Sequence, residues 1–207
     1  MKDYIDVSRY QGTIDWEQVK NKVGGAMLKT VSTNKSFGGI YIDPTFERNY
    51  QECKRLGIPV GAYYYTYAQT PERVAEELAK LREALTGKTF ELPVTVDVED
   101  NKLKPLSADA LTDLVISAAD AIENWGLYAM VYTYTSYSNT ELNMDRLAAY
   151  DLWIADYRGK RPARKHGMWQ YTSTGSLPGI NADVDINHVY KDYPGIIRRA
   201  GLTCLRG

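Results

Sequence analysis

The sequence predicts an α/β fold, a barrel of five β/α units followed by three strands on short connections. Three observations carry this reading. Up to about residue 133, short apolar runs alternate with amphipathic helical patterns, the alternation that builds a mainly parallel sheet. The rhythm then changes, and strand-like pieces at 152–157, 167–171 and 184–186 follow with little room for full helices between them. The total is eight strands, a number that can close on itself.

Tyr4-Ile5-Asp6-Val7 reads as the first strand, and Asp15 as the cap of a helix with Trp16, Val19 and Val23 on one face. Gly25-Ala26-Met27-Leu28-Lys29 is the second strand. Asp43-Pro44 opens the next helix, with Pro at the first helical position behind a capping Asp, and Gly57 ends it. Residues 58–65 form the third strand. Thr70-Pro71 repeats the start signal, and Val74, Leu78, Leu81 and Leu85 keep one apolar face until Gly87. Leu92-Pro93-Val94-Thr95-Val96-Asp97-Val98-Glu99 is the fourth strand, with Pro near its start, where a missing N–H is tolerated. Ser107 opens a helix whose Leu111, Leu114, Val115, Ala118, Ile122 and Trp125 make a stripe ending at Gly126, and 127–133 is the fifth strand. No internal repeat or low-complexity linker interrupts the pattern. Residues 1–199 therefore read as one barrel domain and 200–207 as a tail or linker stub.

Composition narrows the function. The 207 residues are 44% hydrophobic and 25% charged, with a formal net charge of −1, so no basic field points to a nucleic-acid partner. No run approaches transmembrane length, and Met1-Lys2-Asp3-Tyr4 does not begin a signal peptide. Cys53 and Cys204 make no disulfide framework and no CxxC site. There are 17 Tyr and 4 Trp against 3 Phe. Rings with a polar tip suit a wet groove that stacks on sugar faces, although hydroxyls simply left at the surface give the same count.

Active-site residues of a β/α barrel sit where strands reach the C-terminal face. Four acids lie at or near predicted strand ends: Asp6, Asp97, Glu99 and Asp185. Asp97 and Glu99 are two apart, so on a strand both point to one face, roughly 6–7 Å apart at the backbone. Burial and a like-charged neighbour raise a carboxyl pKa, the shift that a general acid near neutral pH requires. The competing reading is a pair of acids salt-bridged at the sheet edge, and Asp183 competes with Asp185. His166, in the basic run 161–165, reads as part of a solvated loop, and His188 as the start of a last helix. Neither has a metal-type spacing. There is no GxSxG elbow and no Gly-rich phosphate loop.

Several stretches in series resemble glycoside hydrolase family 25: Asp6-Val7-Ser8-Arg9-Tyr10-Gln11-Gly12, Gly61-Ala62-Tyr63, Val96-Asp97-Val98-Glu99, Leu152-Trp153-Ile154-Ala155, Trp169-Gln170-Tyr171 and Val184-Asp185-Ile186-Asn187. The resemblance implies a modified TIM-like barrel with five β/α units and three further strands. It implies a lysozyme acting without metal or other cofactor on bacterial cell-wall peptidoglycan, at the β-1,4 bond between N-acetylmuramic acid and N-acetylglucosamine, with no membrane insertion. By motif, Glu99 is the general acid/base and Asp97 assists the N-acetyl group or acts as a direct nucleophile. Asp6 and Asp185 hold the electrostatics, and Tyr63, Tyr132, Trp153, Trp169 and Gln170 line the sugar groove. Without a leader, such a protein is expected to be phage-encoded and freed by lysis, exported by another route, or already trimmed. Two departures bear on specificity: Tyr64-Tyr65 stands where many relatives have His-Phe, and Lys29-Thr30-Val31-Ser32-Thr33 lacks a Glu common in the family. A cell-wall glycan-binding module and a chitinase-like hydrolase are the alternatives.

Overall fold

The structure, a computed structural model, describes residues 2–206. Its strands are β1 (Tyr4–Val7), β2 (Gly25–Asn34), β3 (Gly39–Ile42), β4 (Val60–Tyr65), β5 (Val94–Asp97), β6 (Ala129–Tyr134), β7 (Asp151–Ala155), β8 (Met168–Gly175) and β9 (Val184–Val189). Seven of them, β1, β2, β4, β5, β6, β7 and β8, follow one another in parallel. The ring is closed by β9, which runs antiparallel to both β8 and β1. The result is a closed eight-stranded mixed barrel. Outside it, β3 folds back on β2 as a hairpin.

The helices are α1 (Trp16–Val19), α2 (Phe46–Leu56), α3 (Pro71–Leu85), α4 (Ala108–Asn124), α5 (Thr135–Thr140) and α6 (Tyr193–Ala200). Their starts follow side-chain chemistry. Asp15 accepts from the amides of Glu17 and Gln18, Thr70 from that of Arg73, and Ser107 from that of Ala110, each cap contributing about 1 kcal/mol. The apolar stripes of α3 and α4 pack outside the barrel, where Val74, Leu78, Leu81, Leu111, Val115 and Ile122 join one large buried cluster. A second cluster fills the barrel itself, with Tyr4, Met27, Met130, Trp153 and Met168 pointing inward from alternate strand positions.

Several elements differ from the sequence reading. The second strand runs ten residues rather than five, because Val31 and Thr33 extend the β-branched pattern before Gly38 and Gly39, at φ 77° and 115°, turn the chain back. Asp43 does not cap α2, whose N-cap is Thr45. Its carboxylate instead accepts from Thr45 N at 2.9 Å and from Arg9 N at 3.0 Å, tying the loop after β3 to the loop after β1. The helix after Asp15 is a single turn. His188 lies inside β9, and the last helix starts five residues later behind the Asp192 cap. His166 is buried rather than solvated, its Nδ1 2.6 Å from Arg164 O.

The segment after Ala200, expected as a tail or linker stub, is bonded to the barrel floor. Thr203 O accepts from Phe90 N, and Trp125 O from Arg206 N, both at 2.7 Å. Met1 and Gly207, the outer limits of the two expected units, lie outside the described residues. Cys53 is buried and Cys204 exposed, and both are free thiols.

Candidate active site

At the C-terminal mouth of the parallel strands, all four carboxyls singled out from the sequence line one cavity of about 250 Å³. Asp6 comes from the inward face of β1 and Asp97 from the last position of β5. Glu99 lies two residues beyond β5, so it reaches the cavity from the loop and not from the strand. Asp185 arrives differently. Because β9 runs against its neighbours, its beginning is what meets the mouth, and Asp185 pairs in register with Asp6. Asp183 does not line the cavity; its backbone carbonyl accepts from Gln11 Nε2.

A chain of donors converges on Asp6. Its Oδ2 accepts from Gln170 Nε2 and from Asn187 Nδ2, each at 2.9 Å. Gln170 Oε1 in turn accepts from Tyr132 Oη at 2.8 Å and Tyr157 Oη at 2.5 Å, while Asn187 Oδ1 accepts from Trp153 Nε1 at 2.7 Å. Fully satisfied buried networks of this kind hold their members in one geometry.

Asp97 is 4% exposed, and its Oδ1 has no hydrogen-bond partner among the described residues. Burial, with Glu99 beside it, pushes its carboxyl well above the usual range, and Lys29 opposes the shift. Burial also raises Glu99 to about 7, with Asp185 and Asp100 adding to the rise and Lys29 again opposing it. Asp185 is raised to about 8 by burial and by Asp6. Asp6 is raised to about 6 by burial, against its hydrogen bonds from Asn187 and Gln170. Such a cluster keeps protons at neutral pH that isolated carboxyls would lose.

Of the residues expected along a sugar groove, Tyr63, Tyr132 and Gln170 line the cavity. Trp153 also faces it but is only 1% exposed, packed edge-on against Tyr63 and Tyr132. Trp169 is not on this wall. It stands on the opposite side of β8 from Gln170, donates its indole N–H to Asp156 O and packs edge-on against Tyr171 and His188. Lys29, Tyr10, Tyr65 and Tyr157 also line the cavity. The sequence marked Lys29 and Tyr65 only through the departures that bear on specificity and gave Tyr10 and Tyr157 no lining role. Two of these were legible from alternation: Lys29 repeats the inward position of Met27, and Tyr65 that of Tyr63.

A second cavity of about 440 Å³ shares Glu99, Tyr132 and Tyr157 with the first and runs on past Tyr134, Asn139 and Arg158. Glu99 therefore stands within a longer groove rather than at its end.

Comparison with known proteins bears on this geometry. The sequence model of the family described as Glycosyl hydrolases family 25 matches residues 5–180. An autolytic lysozyme of Clostridium acetobutylicum is 29% identical over 185 residues, which is 88% of this chain and 54% of that protein. The modular autolysin LytC of Streptococcus pneumoniae superposes with a TM-score of 0.79 at 28% identity, covering 91% of this chain and 46% of that one. A bacterial lysozyme of Streptomyces coelicolor superposes with a TM-score of 0.78 at 25% identity, covering 97% of each chain. The chain thus spans about half the length of the first two and nearly all of the third.

Proposed function

This chain belongs to glycosyl hydrolases family 25, and on that premise we propose that it is a lysozyme that hydrolyses bacterial peptidoglycan between N-acetylmuramic acid and N-acetylglucosamine with retention of configuration. The observation that carries the reading is the meeting of Asp6, Asp97, Glu99 and Asp185 in one cavity walled by tyrosines, in the middle of a longer groove. The names borne by the relatives support the substrate class.

In this reading Glu99 is the general acid. With its carboxyl near 7, a useful fraction is protonated at neutral pH and can still give the proton up. It protonates the leaving glycosidic oxygen as the C1–O bond breaks. The acetamido carbonyl oxygen of the same sugar closes on C1, forming a cyclic cation. Asp97 faces that group. Its buried Oδ1 suits an acetamido N–H. The positive charge that develops beside it opposes the upward shift from burial and favours the ionised carboxylate, which stabilises that charge. Water then attacks C1, returns its proton through Glu99 and reopens the ring. Two displacements restore the starting configuration. Asp6 and Asp185 act through the network around them, which fixes Gln170 and holds Tyr132 and Tyr157 against the sugar.

The cell wall is the expected site of action. No helix among the described residues is long and apolar enough to cross a membrane. Loss of turbidity in a suspension of purified walls, followed by mass analysis of the released sugars, tests the proposal. Fragments ending in reducing N-acetylmuramic acid are expected. Reducing N-acetylglucosamine ends would overturn the bond assignment, and no release at all would leave a binding module.

A further inference from the structure

Tyr10 lines the catalytic cavity yet is 69% exposed, and from it a band of aromatic surface runs outward that the chemistry above does not use. Arg9 lies over Tyr10, its Cζ 4.5 Å from the ring centroid, and 5.1 Å from the ring of Phe37 in the β2–β3 hairpin. Phe37 is 42% exposed and stacks on Tyr41, with centroids 4.3 Å apart and planes 13° apart. Only three large hydrophobic side chains among the described residues are this exposed, Tyr10, Phe37 and Tyr157. Tyr10 and Tyr157 line the cavity, and Phe37 is joined to Tyr10 through Arg9.

The band is built rather than incidental. Ser8 and Gln11 form a reciprocal cap that fixes the turn carrying Arg9 and Tyr10, and Asp43 anchors the Arg9 amide. The hairpin is tied down by Arg73, which donates to Thr33 Oγ1 at 3.2 Å, and its tip by Asn34, which accepts from Ser36 N. Arg9 Nε is buried and has no partner among the described residues, while its Nη2 donates to Tyr10 Oη at 3.0 Å. The band rises from the β1 and β2 side of the barrel mouth, whereas the cavity past Glu99 opens on the β6 and β7 side. Glu99 is thus flanked by binding surface in both directions.

We propose that Arg9, Tyr10 and Phe37, with the buried Tyr41 stacked behind Phe37, form a distal sugar subsite that takes a pyranose ring of the same β-1,4-linked amino-sugar strand, beyond the sugars held in the cavity. The inference rests on the reading of this chain as a peptidoglycan hydrolase. A strand that threads the cavity continues past it, and the first surface it meets on this side is an aromatic face beside a guanidinium. The C–H face of a β-linked sugar packs on such rings, and its hydroxyls accept from Arg9 and Tyr10. The consequence is a preference for long strands over short fragments.

Binding to Glu99→Gln protein, which leaves its ligand uncut, reads this directly. Calorimetry with peptidoglycan strand fragments that lengthen by one disaccharide at a time is expected to show a step in affinity of about 2–10-fold at the length that reaches the hairpin. Phe37→Ala in the same background removes that step, and Phe37→Trp keeps it. Affinity that rises without a step, or a step that survives Phe37→Ala, overturns the subsite. So does a concentration-dependent dimer, in sedimentation, that Phe37→Ala abolishes, since the band would then serve self-association. If wild-type protein cuts no peptidoglycan and the Glu99→Gln protein binds no fragment of any length, the hydrolase reading itself fails. If cutting is normal and only the step is missing, the distal subsite alone fails.

Discussion

Asp6 and Asp185 are direct register partners across β1 and β9, the strand pair that closes the barrel. Two carboxyls held side by side in a buried seam cannot both ionise cheaply, and both are raised, Asp185 to about 8 and Asp6 to about 6.

A stability consequence follows from the sign of those shifts. Folded carboxyls with raised pKa values bind more protons than the unfolded chain, so their contribution is fully present below the unfolded value near 3.9 and is lost as pH rises through about 6 to about 8. Asp185→Asn removes the larger shift. Its melting temperature relative to wild type should climb between acidic and mildly alkaline pH, on a scale of about 2–4 °C per kcal/mol for a chain of this size. Thermal unfolding across that range checks it, and parallel curves for the two proteins would refute the shared-proton seam.

Glu99→Gln should fold normally and lose on the order of 10²–10⁴ in kcat through the missing general acid. The motivation is its position in the groove and its carboxyl near 7. Wall-lysis rates near wild type would end its assignment.

Lys29 opposes the upward shifts of both Glu99 and Asp97, and its ammonium lies 4.8 Å from the Tyr65 ring at the cavity wall. Glu99 works protonated, so activity declines as pH rises through its pKa. Removing the cation in Lys29→Met should lift that pKa and move the alkaline limb of kcat/KM to higher pH. A limb that stays in place or moves down contradicts this role.

Retention is the stereochemical expectation, read by NMR on a defined glycan at early times. A first-formed β-anomer supports two displacements, whereas a first-formed α-anomer means inversion and rules out assistance by the acetamido group. Asp97→Asn should slow the reaction severely, because the cyclic cation loses its nearest negative partner.

Chelators should leave activity unchanged. Asp6 is already satisfied by two amide donors, and no three His, Cys, Asp or Glu side chains among the described residues are placed together as a ligand set. Inhibition by EDTA that added Mg²⁺ or Zn²⁺ reverses would contradict the metal-free reading.

What the sequence disclosed and what it hid have physical reasons. Asp15, Thr70 and Ser107 are local signals, and the structure caps helices with each of them. The barrel was legible because strand and helix periods alternate. Hidden were features that depend on partners distant in sequence. Asp43 carries a helix-cap signature, yet its carboxylate is drawn to the amide of Arg9, 34 residues away. His188 looked like a helix start until β9 claimed it by pairing with Trp169. Trp169 was carried into the groove by motif, but the pleat that turns Gln170 inward turns its neighbour outward. Alternation with Met27 turns Lys29 inward, but what it does there was hidden. Its effect arises only when β5 is laid two strands away.

The reversed direction of β9 also bears on when the protein can act. The acids of the cavity come from both ends of the chain, Asp6 from its first strand and Asp185 from its last. Chains emerge from the ribosome N-terminus first, so a nascent chain has Asp6, Asp97 and Glu99 in place while the seam beside Asp6 is still open. The donor Gln170 follows with β8, and Asn187 and the partner Asp185 only with β9. On the proposed function, a product truncated before β9 keeps Glu99 but lacks the seam around Asp6, and loss of wall lysis is its expected outcome.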